Sequence, residues 1–171
     1  EGAPVSITAY LSVASKAAGF AVLIRFIKMG YMDPTNSTDT FWTALGGVQW
    51  DVIMAFLAMI TMTVGNIVAV WQNNVKRMLA YSSIAHAGYL LMGVTVMTTD
   101  GIMAILIYLM FYLLMNIGAF FVVQLFANKI NSEELDDYVG IGYKAPVLAS
   151  LLTVFLVSLT GLPPTAGFIG K

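Results

Sequence analysis

The chain has 171 residues, of which 59% are apolar and 10% charged, with a formal net charge of −1 and a mean hydropathy of +0.84. Soluble domains average roughly 45–50% apolar and about 25% charged residues, so this composition argues against a water-soluble globular enzyme and against a disordered chain. With no cysteine and no basic cluster longer than Lys76-Arg77, a disulfide scaffold and a nucleic-acid binder are excluded as well.

The bilayer is therefore the expected solvent, and the fold class is an all-α, polytopic transmembrane helix bundle. A hydrocarbon core of about 30 Å needs about 20 apolar residues in a helix, and five segments qualify. They cover residues 3–27, 52–71, 78–99, 102–127 and 145–160. The first holds a single charge, Lys16, before Arg25 and Lys28 close it. The second and fourth are uncharged, and the third has His86 and tyrosines as its ionisable interior groups. The fifth has Pro146 in its first turn, where a missing N–H is harmless. Gly161-Leu162-Pro163-Pro164 then interrupts it, and residues 165–171 form a broken continuation. Strands of a membrane barrel are excluded because the runs lack period-2 alternation and far exceed about 10 residues.

The connections carry turn chemistry at Asp33-Pro34-Thr35-Asn36-Ser37, a tight turn at Thr99-Asp100-Gly101, and a short interfacial helix after Ser132-Glu133-Glu134. Trp42, Trp50, Trp71, Tyr31, Tyr138 and Tyr143 fall near span ends, as an aromatic belt requires. Arg25 and Lys28 belong to one side, whereas Lys76, Arg77, Lys129 and Lys144 belong to the other. The excess of basic residues places the second side in the cytoplasm. The chain opens at Glu1-Gly2-Ala3-Pro4 without a methionine or basic leader and stops at Lys171 after a Gly/Pro-rich run. These ends are expected of a fragment of a larger membrane protein.

Lys16 is the most informative residue. It lies about 18 Å from Pro4 and about 13–14 Å from Arg25 along a helix, too deep to snorkel to either interface. A charge at that depth faces a protein interior or a wet cavity, and Ala14, Ser15, Ala17, Ala18 and Gly19 leave room for both. His86 is about 13–14 Å beyond Arg77, with Ser82, Ser83 and Tyr89 on or near its face, and its ordinary pKa near 6.5 suits proton relay. The alternatives are a paired structural lysine and a hydrogen-bonded core histidine. The Gly161–Pro164 break frees backbone groups that lipid cannot satisfy, and discontinuous helices of this kind mark ion sites in transporters. Lys171, which follows the break, is the third candidate. Asn66, Asn116, Tyr108 and Tyr112 are read as helix-to-helix hydrogen bonders worth ~1 kcal/mol or less each. One histidine, no cysteine and carboxylates outside the spans give no metal site.

Three ordered motifs carry a resemblance over essentially the whole chain. Asn74-Val75-Lys76-Arg77-Met78-Leu79-Ala80-Tyr81-Ser82-Ser83-Ile84-Ala85-His86-Ala87-Gly88-Tyr89 resembles the signature segment of the antiporter-like, proton-pumping membrane subunits. These occur in respiratory NADH:quinone oxidoreductase (complex I) and in Mrp-type sodium/proton antiporters. Glu1 to Ser6 with Ala14-Ser15-Lys16 resembles the start of the family's eighth helix, and Gly161 to Lys171 its broken twelfth. The stretch Phe111-Tyr112-Leu113-Leu114-Met115-Asn116-Ile117-Gly118 lacks the eleventh-helix lysine of many relatives, which makes the match most similar to the subunit N (subunit 2) type.

The resemblance implies helices eight to twelve of roughly fourteen. It implies that Lys16 is the central-axis lysine, Lys171 the terminal lysine of the broken helix and His86 a polar position of the tenth helix, all three in proton transfer. It further implies a multi-pass subunit of the bacterial cytoplasmic (inner) membrane that couples quinone reduction to proton pumping. Its partners would be other membrane subunits of complex I and the lipid bilayer. No cofactor is expected in this chain; NAD, FMN, iron–sulfur clusters and quinone belong to other subunits. The alternative is a subunit of an Mrp-type sodium/proton antiporter, with no redox partner.

Overall fold

The computed structural model describes residues 4–30, 42 and 49–170. Lys171, Tyr31 and the Asp33–Ser37 turn lie outside the described residues. The long elements are α1 (Val5–Gly30), α2 (Trp50–Val70), α3 (Val75–Thr95) and α4 (Thr99–Ile130). A short 3-10 turn (Leu135–Tyr138), α5 (Ile141–Lys144), α6 (Pro146–Thr160) and α7 (Ala166–Gly170) follow. The fold is all-α, and among the described residues there is no strand, only an isolated bridge between Asn74 and Glu134.

Capping chemistry sets the helix starts. Asn74 Oδ1 accepts from Arg77 N at 3.1 Å, so α3 begins at Val75, before the apolar run itself. Thr98 Oγ1 accepts from Gly101 N at 3.1 Å. Thr99-Asp100-Gly101, expected as a tight turn, is consequently the first turn of α4, and the connection contracts to Val96–Thr98. The α4 helix runs 32 residues to a left-handed Asn131 (φ 58°), a conformation asparagine tolerates. By length and composition α1, α2 and α4 can cross a membrane. The α3 helix has the 21 residues of α2 but carries Lys76, Arg77, two serines and His86. The 15 residues of α6 reach only about 22 Å.

The break falls where the glycine and prolines place it. Gly161 adopts φ 81° at the end of α6, which favours a residue without Cβ. The chain resumes helix at Ala166, so α6 and α7 are two pieces of one interrupted element.

The α4 helix is the hub, packing against α1, α3, α6 and α7, and its residues Tyr112, Asn116, Ala119, Phe120, Val123 and Phe126 are fully buried. The α2–α3 hairpin is closed by two glycines. A Cβ on Gly65 would lie 2.6 Å from Ala85 N, and one on Gly88 would lie 2.9 Å from Met62 N. Small residues of this kind let membrane helices approach closely where apolar burial gives no drive between them.

The two ends of the bundle are held by different contacts. At one end the Lys28 ammonium sits 5.2 Å from the Trp42 ring, and Trp42 N donates to Met97 O at 3.0 Å. At the other end, Lys76 pairs with Glu133 at 2.8 Å and Asn74 Nδ2 donates to Glu133 Oε2 at 3.3 Å. There Val75 N also donates to Glu133 O at 2.9 Å, and Leu135 N to Asn73 O at 2.7 Å. The connections after α2 and after α4 thus meet at the Lys76 end, and the Arg25/Lys28 end lies opposite, the alternation expected of successive spans.

Candidate functional site

The site is assembled from polar residues one helical turn apart on three helices. Ser12 and Lys16 lie on α1, Ser83, His86 and Tyr89 on α3, and Tyr108, Tyr112 and Asn116 on α4. Spacings of three and four residues put each set on one helix face, and the packing of α1, α3 and α4 brings the faces together.

The partly buried Lys16 ammonium donates to the Ser83 carbonyl on α3 and lies 5.5 Å from the centre of the Tyr112 ring on α4. Its partners among the described residues are a carbonyl and an aromatic face. The alternative of a structural lysine neutralised by a carboxylate finds no such pair among the described residues, whose ion pair is Lys76–Glu133. Asn116 Nδ2 donates to Ser12 Oγ at 2.6 Å, one turn from Lys16. The Tyr112 hydroxyl and Asn116 Oδ1 are buried without a well-formed direct hydrogen bond among the described residues; Ser12 and Ser83 are the side chains facing that hydroxyl.

His86 continues the cluster on its far side. The buried imidazole has Nδ1 2.5 Å from Tyr108 Oη, with ring centres 4.9 Å from Tyr112 and 5.9 Å from Tyr89. The Tyr108 and Tyr112 rings are nearly parallel, 6.3 Å apart at 5°. His86 also lines a cleft of about 360 Å³ with Asn66, Ser82, Tyr89, Leu159 and Thr160. Of the two serines preceding it, Ser83 faces Lys16 and Ser82 faces this cleft. The cleft therefore runs from His86 to the last turn of α6, at the helix break.

Beyond the break, α7 is docked back on the bundle. Gly167 N donates to Ser158 Oγ at 3.3 Å, and that hydroxyl contacts Met115 Sδ on α4 at 2.6 Å. A Cβ on Gly167 would lie 1.7 Å from Ser158 O. Lys16 and His86 thus belong to one polar assembly, whereas Lys171 lies outside the described residues. Tyr108 and Asn116 make the expected helix-to-helix hydrogen bonds, to His86 and Ser12; the common face they share with Tyr112 is what that reading leaves out. Their i, i+4, i+8 spacing on an otherwise apolar helix was the available signal.

Outside the membrane-spanning segments, burial works to raise the Glu133 carboxyl, but the hydrogen bonds from Lys76 and Asn74 and the charges of Lys76 and Arg77 outweigh it. The net effect holds Glu133 below its ordinary value. Burial, followed by the charge of Glu133, pushes the Tyr138 phenol up. Among the described residues no group of three His, Cys, Asp or Glu could hold a metal ion.

Long apolar helices around a buried line of lysine, hydroxyl and imidazole groups define a polytopic membrane protein of the ion-transport class. The profile described as NADH:quinone oxidoreductase/Mrp antiporter, TM matches residues 1–171, and the chain belongs to that family. Among its relatives, the NADH-quinone oxidoreductase subunit N of Chlorobium chlorochromatii is 58% identical over 171 residues, covering 100% of this chain and 33% of the relative. Subunit N 2 of Chloroherpeton thalassium is 56% identical over 171 residues, covering 100% of this chain and 32% of the relative. The chain therefore spans about a third of the length of these curated relatives. A chain of the membrane-bound sulfane sulfur reductase, an archaeal respiratory membrane complex, shares the fold with a TM-score of 0.86 at 22% identity. That match covers 100% of this chain and 33% of the other.

Proposed function

We propose that this chain is the part of a subunit of an NADH:quinone oxidoreductase that carries protons through the middle of the membrane, with quinone reduction elsewhere in the complex as the energy source. The observation that carries the reading is the position of Lys16, a mid-span ammonium held by a neutral carbonyl and an aromatic ring beside a buried imidazole. A charge at that depth is expensive unless its surroundings are wet and its proton can leave. Neutral partners stabilise the ammonium less than a carboxylate would, so small changes in neighbouring charge change its protonation.

In this reading, Lys16 passes its proton through the Tyr112 and Ser83 hydroxyls, bridged by water, to His86. Buried polar groups without direct partners are those that water bridges in protein interiors. His86 delivers the proton to the cleft, which reaches the last turn of α6 at the break, and Lys171, next in the sequence beyond α7, is the proposed terminal acceptor. The break supplies free carbonyls and a bistable element for the coupled charge movements to bias. The side with Lys76, Arg77, Lys129 and Lys144 is the cytoplasmic one in a bacterial inner membrane, and the nicotinamide, flavin, iron–sulfur and quinone sites belong to partner subunits. The two relatives above are named as subunits of an NADH-quinone oxidoreductase, which favours this reading over a Mrp-type antiporter.

The test uses the complete complex in inverted membrane vesicles, with proton uptake followed by a fluorescent pH probe during NADH oxidation. Lys16→Arg keeps the charge but holds its proton, because an arginine side chain cannot be deprotonated in proteins. It should pump far more slowly than wild type, and His86→Gln should do so too. Uptake at the wild-type rate by both variants would refute the relay.

A further inference from the structure

We propose that Tyr108 is a positioning residue that fixes the ring orientation and tautomer of His86, so that the imidazole exchanges protons with the cleft through Nε2. The inference rests on the relay reading for its functional consequence, while the hydrogen-bond argument stands on geometry alone. Tyr108 Oη lies 2.5 Å from His86 Nδ1, between two buried side chains. A phenol hydroxyl has one hydrogen to donate, and a neutral imidazole has one nitrogen that donates and one that accepts. Among the described residues, the acceptor within reach of the Tyr108 hydroxyl is His86 Nδ1. If the imidazole donated instead, the phenol hydrogen would be buried without an acceptor, a loss larger than the worth of an ordinary hydrogen bond. Tyr108 therefore donates, Nδ1 accepts, and the neutral ring carries its hydrogen on Nε2.

The ring cannot easily turn to carry Nδ1 away from Tyr108. Tyr112 and Tyr89 flank it at 4.9 Å and 5.9 Å, and Tyr112 is itself stacked on Tyr108. On its other side His86 lines the cleft with Asn66, Ser82 and Thr160. Nδ1 is thus given to the buried tyrosines, and His86 itself lines the cleft. Proton passage then balances simply. One proton binds Nδ1 as the Tyr108 hydrogen rotates away, and one leaves Nε2 into the cleft. The ring ends neutral with its hydrogen on Nδ1. Tyr108 neither gains nor loses a proton, which distinguishes positioning from relay.

The experiment is nitrogen solid-state NMR of the complete complex with ¹⁵N-histidine labelling, the His86 signals being assigned by their loss in His86→Gln. Wild type should show hydrogen on Nε2 and an unprotonated, hydrogen-bonded Nδ1. Tyr108→Phe, which keeps the ring, should give a mixture of tautomers and a several-fold drop in NADH-driven pumping at unchanged complex content. Tyr112→Phe should leave the His86 tautomer as in wild type, because its hydroxyl faces Ser12 and Ser83. A wild-type signal with hydrogen on Nδ1 would overturn the proposal, whatever the variants do. An unchanged tautomer in Tyr108→Phe would overturn it as well. Normal pumping by His86→Gln alongside a shifted tautomer in Tyr108→Phe would uphold the positioning and remove the relay.

Discussion

Gly65→Ala adds one methyl group where α2 meets the backbone of α3. Its Cβ would lie 2.6 Å from Ala85 N, 3.0 Å from Ala85 Cα and 3.2 Å from Ala85 Cβ. Ordinary contact begins at 3.4 Å, so the helices must part by about 0.8 Å at this point. No side-chain rotation relieves the clash, because the nearest atoms are backbone. Alanine gains about 1 kcal/mol over glycine in helix propensity, whereas overpacking a fitted interface costs about 1–3 kcal/mol, so the net effect is a loss of up to about 2 kcal/mol. Ala85 adjoins His86, so any displacement of the α3 backbone at this point disturbs the 2.5 Å contact between His86 and Tyr108. Thermal unfolding of the detergent-solubilised complex should show a lower Tm for the subunit, together with slower pumping. Adding Ala85→Gly should rescue little, since it removes only the most distant of the three contacts. Wild-type stability and pumping in Gly65→Ala would refute the close-packed hairpin and the link from it to His86.

Gly167→Ala should be the most damaging single substitution at the break, because its Cβ would meet Ser158 O at 1.7 Å; limited proteolysis should find the α7 segment newly accessible, and wild-type protection would contradict its docking. Lys76→Ala should lower stability by about 0.2–1 kcal/mol, as partly exposed ion pairs do. Glu133 is held below its ordinary value, so this contribution is complete above the unfolded carboxyl's range and is lost as pH falls through the folded value. The Tm difference between wild type and Lys76→Ala should therefore close in acid, and a gap that widened there would be inconsistent with the pair. Single cysteines at Asn73 and Asp100 should label from opposite sides of the membrane, Asn73 from the cytoplasm; labelling of both from one side would break the topology.

The architecture and the two interior candidates were legible because each depends on local physics. A lysine 13–14 Å from the nearer end of an apolar run, by about 1.5 Å per residue, has few explanations in lipid. Gly161 with Pro163 and Pro164 close behind it can only interrupt a helix. The helix starts were legible in part, as Asn74 and Thr98 are good caps, but Asp100-Gly101 reads as a turn until the Thr98 hydroxyl is seen bonded to Gly101 N. The polar assembly was the least visible feature. The α4 helix is apolar nearly all round, so its periodicity does not show which face meets α1 and α3. Ser12 and Asn116 are 104 residues apart, and Lys16 and Ser83 67 apart, and no local rule in a single sequence couples such positions. Tyr108 and Tyr112 join the polar assembly only because the fold places His86 against both.

The most direct measurement is the number of protons moved per NADH oxidised by the Lys16→Ala complex in proteoliposomes, with assembly verified by subunit content. The account predicts a complex that assembles normally but moves fewer protons per NADH, together with slower coupled quinone reduction. A proton-to-NADH ratio and turnover equal to wild type would contradict the central claim that Lys16 carries protons, leaving it as a structural residue of the bundle.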